Sequence, residues 1–218
     1  MRKLLEWGGV AAGAVLIAFG IVAIIMGVNG RSTVRDSIKQ EQIVGGGDMT
    51  PAAIAAEAKQ AKLPDTIALP TCTVAGKAVV NGTTARCFAQ YMRIHTFEAT
   101  GGYTFSQMGR FQAKSDAPAT ALAKGGGTDD ANYALVDATT KQPVANGARN
   151  IWVTETALTT ALNTSYLAEN LSLFGVVVGV ALLLSGIGFM VLSLFGALRP
   201  SALKERSAQV TTKLGGAS

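Results

Sequence analysis

The sequence predicts a mainly α-helical membrane protein. Two transmembrane helices extend into an antiparallel stalk, and a small α+β, disulfide-pinned extracytoplasmic head sits between them. Three observations predict it. Two long runs carry no charge. The basic excess lies in the two short tails. Both cysteines fall in the segment between the runs.

The first run is Trp7–Val28, 22 residues without a charge, and the second is Leu171–Leu198, 28 residues interrupted only by Ser172, Ser185 and Ser193. About 20 apolar residues at 1.5 Å rise cross a hydrocarbon core of roughly 30 Å. The first run is longer than the apolar region of a cleaved signal peptide, about 7–15 residues, and no small-x-small cleavage pattern follows Val28. An uncleaved helix is therefore expected, with Trp7 at the interface.

Charge gives the expected orientation. Residues 1–6 hold Arg2, Lys3 and Glu6, and residues 199–218 hold Arg199, Lys204, Arg206, Lys213 and Glu205. Residues 29–171 are nearly balanced, with 13 basic and 12 acidic side chains out of a chain net charge of +5. Short basic flanks stay in the cytoplasm, and a long loop translocates largely regardless of its charge. Both tails (1–6 and 199–218) are thus expected inside the cell membrane, with residues 29–170 outside. The basic residues flank apolar runs, so anionic headgroups, not nucleic acid, are the expected counter-charge.

Cys72 and Cys87 are the only cysteines. In an oxidising compartment they are expected to pair, closing a 15-residue span worth about 3 kcal/mol.

Small residues recur within the apolar runs. Gly9, Gly13, Gly20 and Gly27 in the first, and Gly175, Gly179, Gly186 and Ser193 in the second, are spaced 4, 7 and 7 apart. Such a stripe keeps one helix face and lets backbones approach closely in lipid. The helices are expected to pack through these stripes, on each other or on copies. Neither run holds an ionisable residue, which argues against a pump or secondary transporter.

Between the runs, Arg31–Ile43 continues as a polar helix that ends at Gly45-Gly46-Gly47. Thr50-Pro51 reads as an N-cap and first-turn proline, opening a helix over 51–63 before Pro64. Residues 65–82 read as extended, closed by Asn81-Gly82 as a turn signal. The 83–102 segment is helical, with Cys87, Phe88, Tyr91, Met92, His95 and Ala99 on one face. Residues 103–147 read as loops with short extended pieces near 103–111 and 132–138, and 136–144 as a hairpin tip. From Asn150 a helix with Ile151, Leu158, Leu162 and Tyr166 on one face runs into the second span.

Catalytic and cofactor chemistry finds little footing. His95 is the only histidine. Glu98 lies three residues on, so a His–Glu pair is expected to be structural. A two-histidine, one-carboxylate iron site needs a second histidine. No G-x-S-x-G marks a nucleophile, and the glycine triplets 45–47 and 125–127 lack the phosphate-loop form and read as hinges or linkers. Asp129-Asp130 reads as a solvated turn, since no EF-hand spacing surrounds it. No catalytic, metal or cofactor residue is assigned.

The segments RKLLEWGG (2–9), GRSTVRDSIKQEQIVG (30–45), DMTPAAI (48–54), LPTC (69–72), ARCFAQYMRIHTFEATGG (85–102) and ARNIWVTETALTTALNTSY (148–166) carry a resemblance. The chain resembles an actinobacterial family of two-span membrane proteins of no established function, whose members are often labelled aromatic ring-opening dioxygenase. The resemblance implies a bacterial inner-membrane protein and supplies no catalytic residues to carry over. The leading functional expectation is a non-enzymatic envelope scaffold or accessory subunit whose external domain binds a protein partner or a second copy. A subunit of a two-span oligomeric channel is the alternative, and a membrane-bound enzyme, following the family label, is the remote one.

Overall fold

A computed structural model describes residues 2–195, with side chains from Trp7 onward. The expected cytoplasmic tail 199–218, the end of the second run (196–198) and the side chains of the 1–6 tail lie outside the described residues. The described residues form four α-helices: α1 (Arg2–Gln40), α2 (Pro51–Gln60), α3 (Gly82–Ala99) and α4 (Gly147–Phe195). The chain divides into two compact units, Met1–Ser32 with Asn170–Ser218, and Thr33–Glu169.

In the first unit α1 and α4 pair antiparallel, and both helices are long and apolar enough to cross a membrane. The pairing follows a seven-residue register. A Cβ built on Gly13 would stand 2.8 Å from the Gly186 carbonyl oxygen, one on Gly20 2.7 Å from that of Gly179, and one on Gly27 2.6 Å from that of Ser172. The approach is mutual, since a Cβ on Gly179 or Gly186 would meet the Gly20 or Gly13 oxygen at 2.8 and 2.7 Å. Glycine is needed here because any side chain would hold the two backbones apart. A period of seven, slightly under two full turns, keeps the seam closed along the pair. Facing away from it, Phe19, Met26, Leu184 and Phe195 are exposed.

The second unit is built around α3. Asn81 caps it: its side chain accepts from the Thr84 N–H at 2.9 Å, and Thr84 Oγ1 accepts in return from the Asn81 N–H at 3.2 Å. The Asn81-Gly82 pair is therefore a helix start and not the turn that its composition suggests. Ala85, Cys87, Phe88, Tyr91 and Ile94 are buried, and with Ile54 of α2, Val74, Val79, Ile38 of α1 and Leu162 of α4 they form the main core. Ala99, expected on the buried face, is exposed.

A smaller core gathers Phe97, Met108 and Trp152. The Phe97 and Trp152 rings meet edge-on at 5.0 Å, with the Arg93 guanidinium over both. Trp152 Nε1 donates to the Tyr103 carbonyl at 2.8 Å. This corrects the expected α4 face: Ile151 is exposed, and Trp152 is the anchor.

The expected α+β head is also corrected. Among the described residues there is no strand, only isolated bridges such as Val44 with Ala78, Phe111 with Thr128 and Val136 with Pro143. Glycine, proline and Asx turns interrupt each extended piece after one or two residues, so no ladder propagates. At 136–144 the bridge does close a hairpin. Its tip is held by Asp137, whose carboxylate accepts from the Thr139 and Thr140 N–H groups at 2.9 and 2.7 Å.

The glycine triplets lie in turns, and some of their glycines are tightly packed. Gly45 is buried, and a Cβ there would run into the Val74 carbonyl. Gly126 and Gly127 have φ of 83° and 73°, the left-handed region that glycine enters freely.

Candidate functional site

Around the only histidine, three separate elements bring carboxylates together. His95 and Glu98 stand one turn apart on α3, with Nδ1 and Glu98 Oε2 3.2 Å apart. Glu57 comes from α2, which packs on α3, and its Oε2 lies 4.0 Å from Nδ1. Asp48 comes from the turn before α2, and its Oδ2 lies 3.4 Å from Nε2. One donor atom each from Asp48, Glu57 and His95 falls within 4.8 Å of the others.

Local structure fixes each contributor. Gly45 lets the turn pass against Val74, and Gly45 N–H donates to the Lys77 carbonyl at 3.0 Å. The Met49 carbonyl accepts from Val74 N–H at 3.2 Å and from Thr73 Oγ1 at 3.1 Å. Thr50 then caps α2, accepting from Ala53 N–H at 3.2 Å, and Pro51 presets the first turn. Asp48 is thus held between two anchored points, and Glu57 follows two turns into α2. All four side chains are partly exposed, so the cluster is open to solvent.

Its electrostatics are one-sided. Among the described residues no lysine or arginine pairs with Asp48, Glu57 or Glu98. Even a protonated imidazole leaves two negative charges uncompensated. Two carboxylates about 5 Å apart repel by roughly 1–3 kcal/mol after solvent screening. Glu98 Oε1, in addition, is shielded from solvent and has no hydrogen-bond partner among the described residues. A set of one imidazole and three carboxylates is suited to a divalent cation.

A second charged group organises α3. Glu169 of α4 is buried, and its Oε2 accepts from the Gly82 N–H at 2.6 Å, satisfying a free donor at the α3 N-terminus. Its Oε1 accepts from Arg35 Nε and Nη2, both at 2.7 Å. Gly82 is obligatory here, because a Cβ would lie 2.6 Å from the Tyr166 Cα.

The residues singled out by sequence fall as follows. Cys72 and Cys87 form a disulfide, tying the segment before α3 to its second turn. Tyr91 hydroxyl donates to the Cys72 carbonyl at 2.6 Å, and burial pushes its pKa up. Gly13, Gly20, Gly27, Gly179 and Gly186 line the helix seam, while Gly175 lies off it, its nearest atoms 3.9 Å from a built Cβ. Ser172 takes the place assigned to Gly175. Gly9 is half-buried on α1. Ser193 is fully buried, and its Oγ has no partner among the described residues. Asp129 is more than a solvated turn. It accepts from Arg110 N–H at 3.0 Å and Nε at 3.1 Å, which lowers its pKa.

Asp48 and Glu57 were invisible as ligands in the sequence. They lie 47 and 38 residues before His95, with no spacing motif to join them. Their local context is the Thr50 cap, with Asp48 just before it and Glu57 within the helix that it opens. No protein-family model, curated protein or solved structure matches the chain.

Proposed function

We propose that this chain is an integral membrane protein whose α1 and α4 each cross the cell membrane, with both termini in the cytoplasm and Thr33–Glu169 outside. It serves there as a non-enzymatic scaffold or accessory subunit that engages a protein partner through that external unit. The observation that carries this reading is the pattern of burial on the paired helices. Only the small-residue seam is covered, while large side chains such as Phe19, Met26 and Leu184 face outward along both helices. The core helix of a water-soluble protein would bury those side chains. Lipid solvates them without a partner.

Three further points support it. The Cys72–Cys87 bridge suits an oxidising compartment. The net positive charge lies mostly in the terminal segments, as positive-inside orientation requires. The resemblance to two-span actinobacterial proteins agrees with the same topology. For the non-enzymatic role, the sole histidine is surrounded by carboxylates and not by a serine or thiol, and both cysteines are consumed in the bridge. The glycine seam is filled within one chain, which removes the reason to invoke a ring of copies for it.

Reporter fusions at residue 120 test the topology. Alkaline phosphatase placed there is expected to be active, and green fluorescent protein dark, with the chain in the membrane fraction and its N-terminus intact. A fluorescent fusion, or a mature chain starting after residue 30, would overturn the reading. Cross-linking in native membranes, followed by mass spectrometry, identifies the partner.

A further inference from the structure

We propose that Asp48, Glu57 and His95 form a divalent transition-metal site, with Glu98 as the carboxylate that orients the imidazole. This goes beyond the membrane reading and does not depend on it.

The argument starts from the two faces of the histidine ring. Nδ1 lies 3.2 Å from Glu98 Oε2, and Nε2 looks the other way, 3.4 Å from Asp48 Oδ2. A histidine ligand commonly donates one ring N–H to a carboxylate and offers the other nitrogen to the ion. Glu98 and His95 have that relation, one turn apart on α3. At metal–ligand lengths of about 2.0–2.2 Å, two donors of one ion stand roughly 3.0–3.6 Å apart. Nε2 and Oδ2 already have that separation. Glu57 Oε2, on α2, stands 4.0 Å from Nδ1, and one donor atom from each of the three residues lies within 4.8 Å of the others, so Glu57 would have to turn toward Nε2 as the ion binds.

Charge points the same way. The carboxylates have no lysine or arginine to neutralise them among the described residues. A structural salt-bridge network would place lysine or arginine there. A dication supplies the missing charge. The imidazole selects the class of ion: oxygen-only ligand sets suit calcium and magnesium, whereas nitrogen with carboxylates suits zinc and manganese. Three protein donors leave further positions open to water, so the ion is exchangeable from the solvent side.

The test uses the full chain in detergent, purified without a histidine tag and stripped with chelator. Zinc and manganese are each titrated by calorimetry. One equivalent is expected to bind. Because His95 is the only histidine, its imidazole gives a single pair of proton-carbon signals, from Cε1–H and Cδ2–H, which manganese is expected to broaden away. His95→Gln and Asp48→Asn are each expected to weaken zinc binding at least 100-fold, and Glu98→Gln about 10- to 100-fold, the loss typical of an outer carboxylate. Asp48 lies on a half-exposed turn, so D48N keeps the test open if H95Q fails to fold, as judged by its helical circular dichroism. Absence of stoichiometric binding by both metals, an imidazole signal that manganese leaves sharp, or unchanged affinity in D48N would each overturn the proposal.

Discussion

Gly20 and Gly179 approach so closely that a Cβ on either would stand within 2.8 Å of the other's carbonyl oxygen. That reciprocity sets the register of the whole helix pair, since Gly13 and Ser172 fall into place one heptad to either side. Gly20→Leu or Gly179→Leu is expected to loosen the pair by about 1–3 kcal/mol through overpacking. Gly8→Leu, with open space around it, and Gly175→Ala, with nothing closer than 3.9 Å, are expected to leave it unchanged. Cysteines introduced across the seam, with the native bridge intact, report the separation by cross-linking yield. Equal yields in all four variants would discard the register.

Glu169 joins the N-terminus of α3 to Arg35. Glu169→Gln keeps the shape but removes the charge that answers both, and is expected to destabilise Thr33–Glu169 by roughly 1–3 kcal/mol. Arg35→Gln is expected to give a smaller loss, because its side chain is partly exposed at 37%. Hydrogen exchange at Gly82 and Thr83 is the local readout. Slow exchange in E169Q would refute the role.

Removing the Cys72–Cys87 bridge by Cys72→Ser is expected to lower stability by about 3 kcal/mol, the loss expected from freeing a 15-residue span. Denaturant melts of oxidised protein, reduced protein and C72S measure it. The free thiol at position 87 is buried, so alkylation before unfolding is expected to be slow.

Acid acts on the 103–146 segment through Asp129. Its folded pKa lies below the unfolded one, mainly because of the Arg110 N–H bond. The resulting stabilisation is present above the ordinary carboxylate pKa and is lost as pH falls through the folded value. Protease protection of this segment is therefore expected to fall with acid, and Asp129→Asn to be weakly protected even at neutral pH. Asp137, lowered by bonds from Thr140 and Thr139, moves in the same direction. A D129N segment with the native pH profile would exclude Asp129 as the cause.

The apolar runs, the cap at Thr50 and the helical content of 83–99 are legible in the sequence because each is a local pattern. What was not legible depends on pairing. Periodicity within one helix ranks Gly175 with Gly179, but only the partner helix decides that Ser172 faces Gly27. Asn81-Gly82 is a turn signal by composition, and it becomes a helix start because Glu169, 87 residues on, receives the Gly82 N–H. The α+β expectation failed for a related reason: β-branched residues near 71–80 favour extended chain, but a strand needs a neighbour of matching length. The His95 cluster was half visible. Glu98 is three residues away, while Asp48 and Glu57 arrive through the packing of α2 on α3.

Arg35 and Glu169 stand 134 positions apart in the chain and 2.7 Å apart in space. The 33–169 stretch therefore leaves and re-enters at a single gate, as a cassette does. Spliced between the arms of an unrelated two-helix stem, or into a surface loop of a soluble host, it needs only two neighbouring attachment points to close on itself. The stretch can thus be exchanged or transplanted without redesigning the two helix arms that carry it.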